Sequence, residues 1–200
     1  MNTMMQLLLL AQQAQAHPFA KEEYSLRTAI KVSEKGVVPL VALELPIDVV
    51  LKGIGTEKED PREVKKRKIR QYNESQWDLL AESLVFTIDG RAAEGEWLAI
   101  EHPSNGKAAE GFFVYLVSFR HDGPPLVPGD GSTIVIENKA YPDAPMVYTG
   151  SATAEPPYAI RTSTSVEILG ENEKADLSDP ERWSRDSSLR KMTVVVGKPG

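Results

Sequence analysis

Cysteine is absent from the 200 residues of this sequence, and its absence removes several classes of chemistry at once. Without a thiol, the chain forms no disulfide, uses no cysteine nucleophile and offers no thiolate ligand to zinc. The formal net charge is −6 at pH 7, so we do not expect a general affinity for nucleic acid. The remaining composition, 41% hydrophobic and 26% charged, is that of an ordinary globular protein, and the length predicts one domain.

The sequence also lacks an apolar run of the roughly 20 residues that a membrane-spanning helix needs. Its strongest apolar run, residues 4–11, matches the apolar core of a secretory signal peptide, and Ala14-Gln15-Ala16 has the form of a cleavage site. Met1-Asn2-Thr3 carries no lysine or arginine, an element that signal peptides usually have. We expect residues 1–16 to be a signal peptide, with a short N-terminal helix as the alternative. Residues 17–200 would then form one exported domain, periplasmic or extracellular, or tethered to the membrane in a longer parent protein.

Signatures of catalysis are sparse. The motifs G-x-S-x-G and H-E-x-x-H are absent, and Gly129-Asp130-Gly131 has neither the glycine spacing nor the lysine of a phosphate-binding loop. The carboxylates are scattered, and no two of them stand out as an acid–base couple. The sequence therefore favours a non-catalytic binding or accessory domain, and an enzyme whose site has no recognisable motif is an alternative.

An alternating pattern begins after Glu23 and predicts the first strands. Residues 24–33 alternate apolar and polar side chains with a period of two, which is typical of a half-buried strand. Glu34-Lys35-Gly36 then forms a turn, and residues 37–45 are a second apolar run, so the two segments predict a β-hairpin. Pro46 indicates a sheet edge or a bulge.

Further short strands follow along most of the chain. Residues 111–119 form the strongest strand and are apolar on both faces, which predicts a position in the middle of a sandwich. The pattern as a whole predicts a mainly β fold, an antiparallel, immunoglobulin-like β-sandwich. The other predicted strands are residues 84–88, 97–101, 133–137, 146–148, 158–169 and 192–196.

A helical insertion interrupts the strands at about residues 57–84, with its helical part around residues 61–84. Asp60-Pro61-Arg62-Glu63 has the form of a helix start, with Asp60 as the capping residue. Asn73-Glu74-Ser75-Gln76 is a second capping signature, and the apolar side chains that follow recur with helical spacing. The sequence thus predicts a helix over about residues 74–83, preceded by a basic helix or an ordered loop.

The densest charge in the sequence is Lys65-Lys66-Arg67-Lys68, flanked by Arg62 and Arg70. In an acidic protein, such a cluster predicts contact with an anionic membrane surface or with an acidic partner, including a membrane protein. The alternative is a helix face that is simply solvated.

Three histidines are the candidate metal ligands. If cleavage follows Ala16, His17 gains a free amino group, and its amine and imidazole together suit copper or nickel. His102 or His121 would then supply a further nitrogen, giving a secreted copper-binding protein as an alternative function. The alternative for His17 is a structural role, because Pro18 biases the preceding residue towards extended backbone.

Several segments together resemble the extracytoplasmic N-terminal domain of nickel/cobalt transporter membrane proteins of the NicO and HupE/UreJ-like group. The segments that carry the resemblance are His17-Pro18 after the small-residue cleavage site, Tyr24-Ser25-Leu26, Leu43-Glu44-Leu45-Pro46-Ile47, the charged insertion, and residues 82–90, 134–142 and 187–190. The resemblance implies an accessory domain associated with a metal-ion transport membrane protein. The chain departs from that group in its insertion, which is basic and lacks the acidic, calcium-loop-like sequence that members often carry.

Overall fold

The computed structural model describes residues 23–57, 59–100, 112–164, 167–173 and 182–198. The protein is mainly β, as the sequence predicted, and its strands form two sheets. Within the described ranges, no helix is long and apolar enough to cross a membrane.

The described residues form eleven strands, two α-helices and a 3₁₀ helix, Ser187–Arg190. The strands are β1 Tyr24–Ser33, β2 Gly36–Pro46, β3 Leu84–Ile88, β4 Arg91–Ala92, β5 Gly95–Ile100, β6 Phe112–His121, β7 Thr133–Asn138, β8 Met146–Ala154, β9 Ala159–Ser163, β10 Glu167–Leu169 and β11 Lys191–Gly197. The helices are α1, Ile47–Ile54, and α2, Arg62–Ser83.

A six-stranded sheet has the order β10-β8-β1-β2-β6-β5, and a five-stranded sheet has the order β4-β3-β7-β11-β9. One apolar cluster takes side chains from both sheets, such as Leu26 and Leu43 from the first and Ile136 and Val194 from the second. The two sheets therefore pack face to face around a common core.

The expectation of a wholly antiparallel arrangement is wrong in the six-stranded sheet. Strand β1 pairs with β2 in an antiparallel hairpin, as predicted, but it pairs with β8 in parallel, with Tyr24 opposite Met146. Strand β10 also runs parallel to β8. The pairing of β1 and β8 joins segments more than a hundred residues apart, and alternation within one strand carries no information about such a partner.

Strand β1 is also covered on both faces, so the prediction of a half-buried strand is wrong. Leu26 and Ile30 face the core, while Ser25 and Arg27, on the opposite face, are buried as well. Pro46, expected at an edge or a bulge, instead ends the interior strand β2 and begins α1.

A helix lies in the insertion close to the predicted bounds of residues 61–84, but it is more regular than the sequence indicated. Helix α2 is continuous over 22 residues, so the second start expected at Asn73 is wrong; the Ser75 hydroxyl instead donates to the Tyr72 carbonyl within the helix. The expected cap at Asp60 is also wrong, because Pro61 is the capping residue and the Asp60 carboxylate accepts from the Glu57 amide. Helix α1 was not predicted, since its eight residues are too short for a clear period.

Candidate functional site

The predicted basic cluster lies on the first half of α2, residues 62–70, which we call the basic half. None of its side chains is buried, and Arg62, Lys66, Arg67 and Arg70 are exposed. The basic half holds six cations and one carboxylate, Glu63, a net charge of +5. Because the whole chain carries −6, all other residues together carry −11. The structure thus concentrates positive charge on one helical segment of an acidic protein.

The basic half is held by local contacts near the start of the helix. Lys68 Nζ lies 2.7 Å from Asp60 Oδ2 and 2.8 Å from the carbonyl oxygen of Gly55, just after α1. The hydrogen bond from Lys68 lowers the pKa of the Asp60 carboxyl, and a second bond from the Glu57 amide acts in the same direction. Lys66 pairs with Glu63 one turn before it, at 3.0 Å. Lys68 is therefore partly committed to the fold, whereas Arg62, Arg67 and Arg70 make no ion pair within the described residues.

The second half of α2, residues 72–83, is the anchored half. Leu80 is fully buried in the core, and Gln76 is buried beside it. Asn73 Oδ1 accepts a hydrogen bond of 3.0 Å from the hydroxyl of Tyr115 in β6, and the Trp77 ring packs edge-on against the Tyr115 ring. The anchored half is therefore fixed to the six-stranded sheet by both apolar and polar contacts.

A second polar tie joins the anchored half to the β7–β8 loop. The hydroxyl of Tyr141 donates to Gln76 Oε1, and the Tyr141 ring packs edge-on against Tyr24 with ring centres 5.1 Å apart. Tyr141 has a positive φ of 50°, a backbone conformation that costs energy in a bulky residue. Arg190 stabilises this turn by donating to the carbonyl oxygens of Ala140 and Tyr141.

Four tyrosines surround this junction, and all four stay protonated well into alkaline conditions. Burial raises the pKa of Tyr24, Tyr72, Tyr115 and Tyr141, and the proximity of the other hydroxyls adds to the rise at the last three. A phenol with a raised pKa is a hydrogen-bond donor and a poor nucleophile or base at neutral pH. The arrangement therefore suits a structural junction under the helix.

Charge along α2 runs against the helix dipole. Cations are favourable at a helix C-terminus and carboxylates at its N-terminus. Here the cations occupy the N-terminal half, and Glu74, Asp78 and Glu82 occupy the C-terminal half, whose last turn holds no basic residue. Arg62 and Lys66, and Lys66 and Arg70, are also like-charged neighbours four residues apart, a spacing that destabilises a helix. Helix stability alone does not account for this order.

Of the three predicted metal ligands, the structure describes His121 alone. His17 and His102 lie outside the described residues, so the site that would combine them with His121 and copper or nickel stays a prediction. His121 ends β6, and its Nδ1 accepts a hydrogen bond from the Gly123 amide within a turn. Among the residues that the structure does describe, no group of three or more histidine, aspartate or glutamate side chains could hold a metal ion.

A cavity of about 350 Å³ lies between β8, β9 and β10, on the side of the fold where both sheets end in short strands. Among the described residues, its walls are mainly apolar, with Tyr158, Ile160, Ile168 and Leu169 among them, and Glu171 is the one carboxylate. A single carboxylate beside one phenol supplies no acid–base couple.

Sequence reasoning missed a buried ion pair between Arg27 in β1 and Glu44 in β2. The Trp183 ring covers the Arg27 guanidinium, and the Cζ atom of Arg27 lies 5.5 Å from the centre of the ring. Buried charges of this kind need close partners, and breaking such a pair by removing one partner is strongly destabilising. The pair is an internal tie between the hairpin and the segment at Trp183, and alternation alone made Arg27 look like a solvent-facing residue.

No protein-family model matches the chain, and a search of curated proteins also finds no match.

Proposed function

We propose that the protein is a non-catalytic binding domain that docks on an anionic surface through the basic half of α2. The observation that carries the proposal is the charge order of α2, in which exposed cations occupy the end of the helix where the dipole opposes them. The charge order of the basic half destabilises the helix, and the basic half makes few contacts with the core. Contact with an anionic surface outside the chain would explain both features.

The strength and range of this attraction follow from the charges. A cation close to an anionic membrane surface contributes about 1 kcal/mol, and the effect falls off over about 8 Å at physiological ionic strength. The acidic remainder of the chain is repelled by the same surface, so the charge distribution also orients the protein with α2 foremost. Binding by this route is strongly salt-dependent.

The setting that suits this function is an exported, immunoglobulin-like accessory domain at a membrane. Residues 1–16 as a signal peptide would place the domain in the periplasm or outside the cell, or tethered in a longer parent protein. The resemblance to the NicO and HupE/UreJ-like group adds a metal-ion transport membrane protein as the associated component. The two packed sheets are compatible with the immunoglobulin-like assignment, and the parallel pairing of β1 with β8 is the feature such an assignment must accommodate.

The test replaces Lys65, Lys66, Arg67 and Lys68 by glutamine and measures affinity for immobilised dextran sulfate and for vesicles of equimolar phosphatidylcholine and phosphatidylglycerol. The charge-matched control replaces Lys35, Arg91, Lys139 and Lys191, which are also three lysines and one arginine, exposed, and outside both helices. At about 1 kcal/mol per cation, we expect the first variant to bind at least about 100-fold more weakly and the control to change several-fold at most. Equal losses in the two variants would show that net charge alone governs binding and would refute a site on α2.

A further inference from the structure

We propose that the cavity between β8, β9 and β10 binds a small amphiphilic cation, a molecule with one apolar ring and an ammonium group on a short chain. The apolar walls hold the ring, and the Glu171 carboxylate attracts the ammonium group. The inference goes beyond the proposed function, because it concerns a site that shares no residue with α2.

The volume of the cavity sets the size of the ligand. At about 350 Å³, it lies towards the lower end of the range of small-molecule pockets, about 300–1,000 Å³. An apolar cavity of about 150 Å³ is already large enough to take up a benzene molecule. The cavity therefore has room for one ring and a short chain.

Backbone hydrogen bonds hold the residues that line the cavity. The Tyr158 amide donates to the Glu155 carbonyl oxygen at 2.9 Å, and the Glu155 amide donates to the Val32 carbonyl oxygen in β1, also at 2.9 Å. Ile168 and Leu169 are held by their pairing with β8. A wall fixed in advance loses little conformational freedom when a ligand binds. Ile168 is still 51% exposed, so a ligand in the cavity would cover apolar surface that now faces water.

Glu171 gives the cavity its preference for a cation. Its side chain is exposed, and it forms no ion pair with any residue that the structure describes. A turn on either side fixes its place: the Gly170 amide donates to the Glu173 carboxylate at 2.7 Å, and the Glu173 amide donates to the Gly170 carbonyl oxygen at 3.1 Å. The Glu173 carboxylate is thus engaged within the turn, whereas the Glu171 carboxylate is available to a ligand.

A nearby cation, Lys198, does not reverse this preference. Its Nζ lies 5.2 Å from the centre of the Tyr158 ring, but Lys198 is not among the described residues that line the cavity. Lys198 also has a carboxylate beside it, because Asp130 Oδ1 accepts a hydrogen bond of 2.8 Å from the Lys198 amide. The charge in the described wall of the cavity is therefore negative, which favours an apolar cation over an apolar anion.

Three probes of similar size and different charge test the site: phenethylammonium, 2-phenylethanol and 3-phenylpropionate. Methyl NMR at neutral pH follows Ile160, Ile168 and Leu169 in the cavity, with Leu51 and Ile69 on the helices as exposed references. We expect saturable shifts of the cavity methyl groups alone. The ammonium probe should bind about two- to fivefold more tightly than the alcohol, as an exposed ion pair allows, and the carboxylate probe should bind most weakly. The absence of saturable shifts with all three probes would overturn the site, and equal affinities would overturn the preference for a cation.

Two variants separate the charge of the site from its shape. Glu171→Gln should lower the affinity for phenethylammonium to that for 2-phenylethanol, about two- to fivefold, and leave the affinity for the alcohol unchanged. Glu74→Gln on α2 makes the same change in net charge and should alter neither affinity. If Glu171→Gln keeps the full preference for the ammonium probe, Glu171 does not select the ligand and the inference is wrong.

Ile168→Ala removes apolar contact area from the wall and should weaken binding of the ammonium and alcohol probes alike, by about threefold or more. Because Ile168 is half exposed, the variant is expected to fold. Val127→Ala, at a loop residue with the same exposure, is the control and should change neither affinity. Unchanged binding of both probes to Ile168→Ala would place them outside the cavity and overturn the inference, while vesicle binding through α2 would be unaffected.

Discussion

The two halves of α2 belong to one continuous helix, yet they differ in burial and in charge. The anchored half contributes the buried residues Gln76 and Leu80 and is tied by hydrogen bonds to Tyr115 and Tyr141. The basic half has no buried side chain and carries a net charge of +5. Since most helical stability in proteins comes from packing, we infer that the packing of the anchored half keeps the basic half helical.

This division indicates how the insertion presents its charges. A flexible basic loop would lose conformational freedom when it binds, whereas a helix fixed at one end displays its cations in a set order. The contacts of α1 with Lys68 and Tyr72 add a second support on the side of the basic half. Removing each support in turn tests whether the two halves of α2 are held as differently as their contacts indicate.

The largest effect is expected in the anchored half. Leu80→Ala removes a fully buried side chain from the core and should lower the free energy of unfolding by about 2–5 kcal/mol. Ile69→Ala, on the same face of the helix but exposed, should change it by less than about 0.5 kcal/mol. Chemical denaturation of both variants measures the difference, and similar losses would show that the basic half is packed as firmly as the anchored half.

A somewhat smaller effect is expected where α1 meets α2. A Cβ atom added at Gly53 would overlap the ring of Tyr72, so Gly53→Ala must displace that ring or move the helices apart. Alanine gains up to about 1 kcal/mol of helix propensity over glycine, but overpacking usually costs about 1–3 kcal/mol, and we expect net destabilisation. Gly53→Ala combined with Tyr72→Leu should recover part of the loss, as seen in the denaturation midpoint. A stabilised single variant would mean that α1 is not closely docked.

Much of this fold follows from local pattern. The hairpin of β1 and β2 and strands β3, β5, β6, β7 and β11 were predicted close to their observed bounds, because each has clear alternation or a strong apolar run. The parallel pairing of β1 with β8, and the placement of β9 and β10 in different sheets, depend on contacts between distant segments. No window of a few residues contains that information.

The candidate site also combines features that the sequence predicts with features that only the structure reveals. Lys65, Lys66, Arg67 and Lys68 were found because charge density is visible in the sequence itself. The reversed charge order became visible only once α2 proved to be one continuous helix, since the sequence had suggested a second start at Asn73. The exposure of Ile69 was equally hidden, because an apolar residue at helical spacing predicts burial, whereas Ile69 is 39% exposed.

The tyrosines around the anchored half give a pH-dependent prediction. Because burial raises their pKa above the ordinary 10.0, the folded state holds these protons more tightly than the unfolded state. Their contribution to stability is therefore complete below about pH 10 and is lost as the pH rises further. Absorbance of tyrosinate should show Tyr24, Tyr72, Tyr115 and Tyr141 ionising together with unfolding.

A single hydroxyl tests the same junction at neutral pH. Tyr115→Phe removes the hydrogen bond to Asn73 and should cost about 0.5–1.5 kcal/mol, with binding to anionic vesicles unchanged. The variant also has one fewer group with a raised pKa, so its stability should fall less steeply above pH 10 than that of the parent protein. If the stability of the two proteins falls equally steeply above pH 10, the Tyr115 hydroxyl is in contact with water.

The smallest expected effect is a gain in stability, whereas the preceding variants lose stability. Arg62 opens α2, makes no ion pair within the described residues, and lies four residues before Lys66. Arg62→Glu places a carboxylate at the positive end of the helix dipole and turns a like-charge spacing into an attractive one, which should stabilise the protein by about 0.5–1 kcal/mol. The same change removes two units of positive charge from the basic half and should weaken binding to anionic vesicles. Arg91→Glu, in β4, is the control for the change in net charge and should leave binding nearly intact. A variant that becomes more stable while it binds less well would show that the charge order of the basic half is kept for its partner, and one that loses both would show that Arg62 serves the fold.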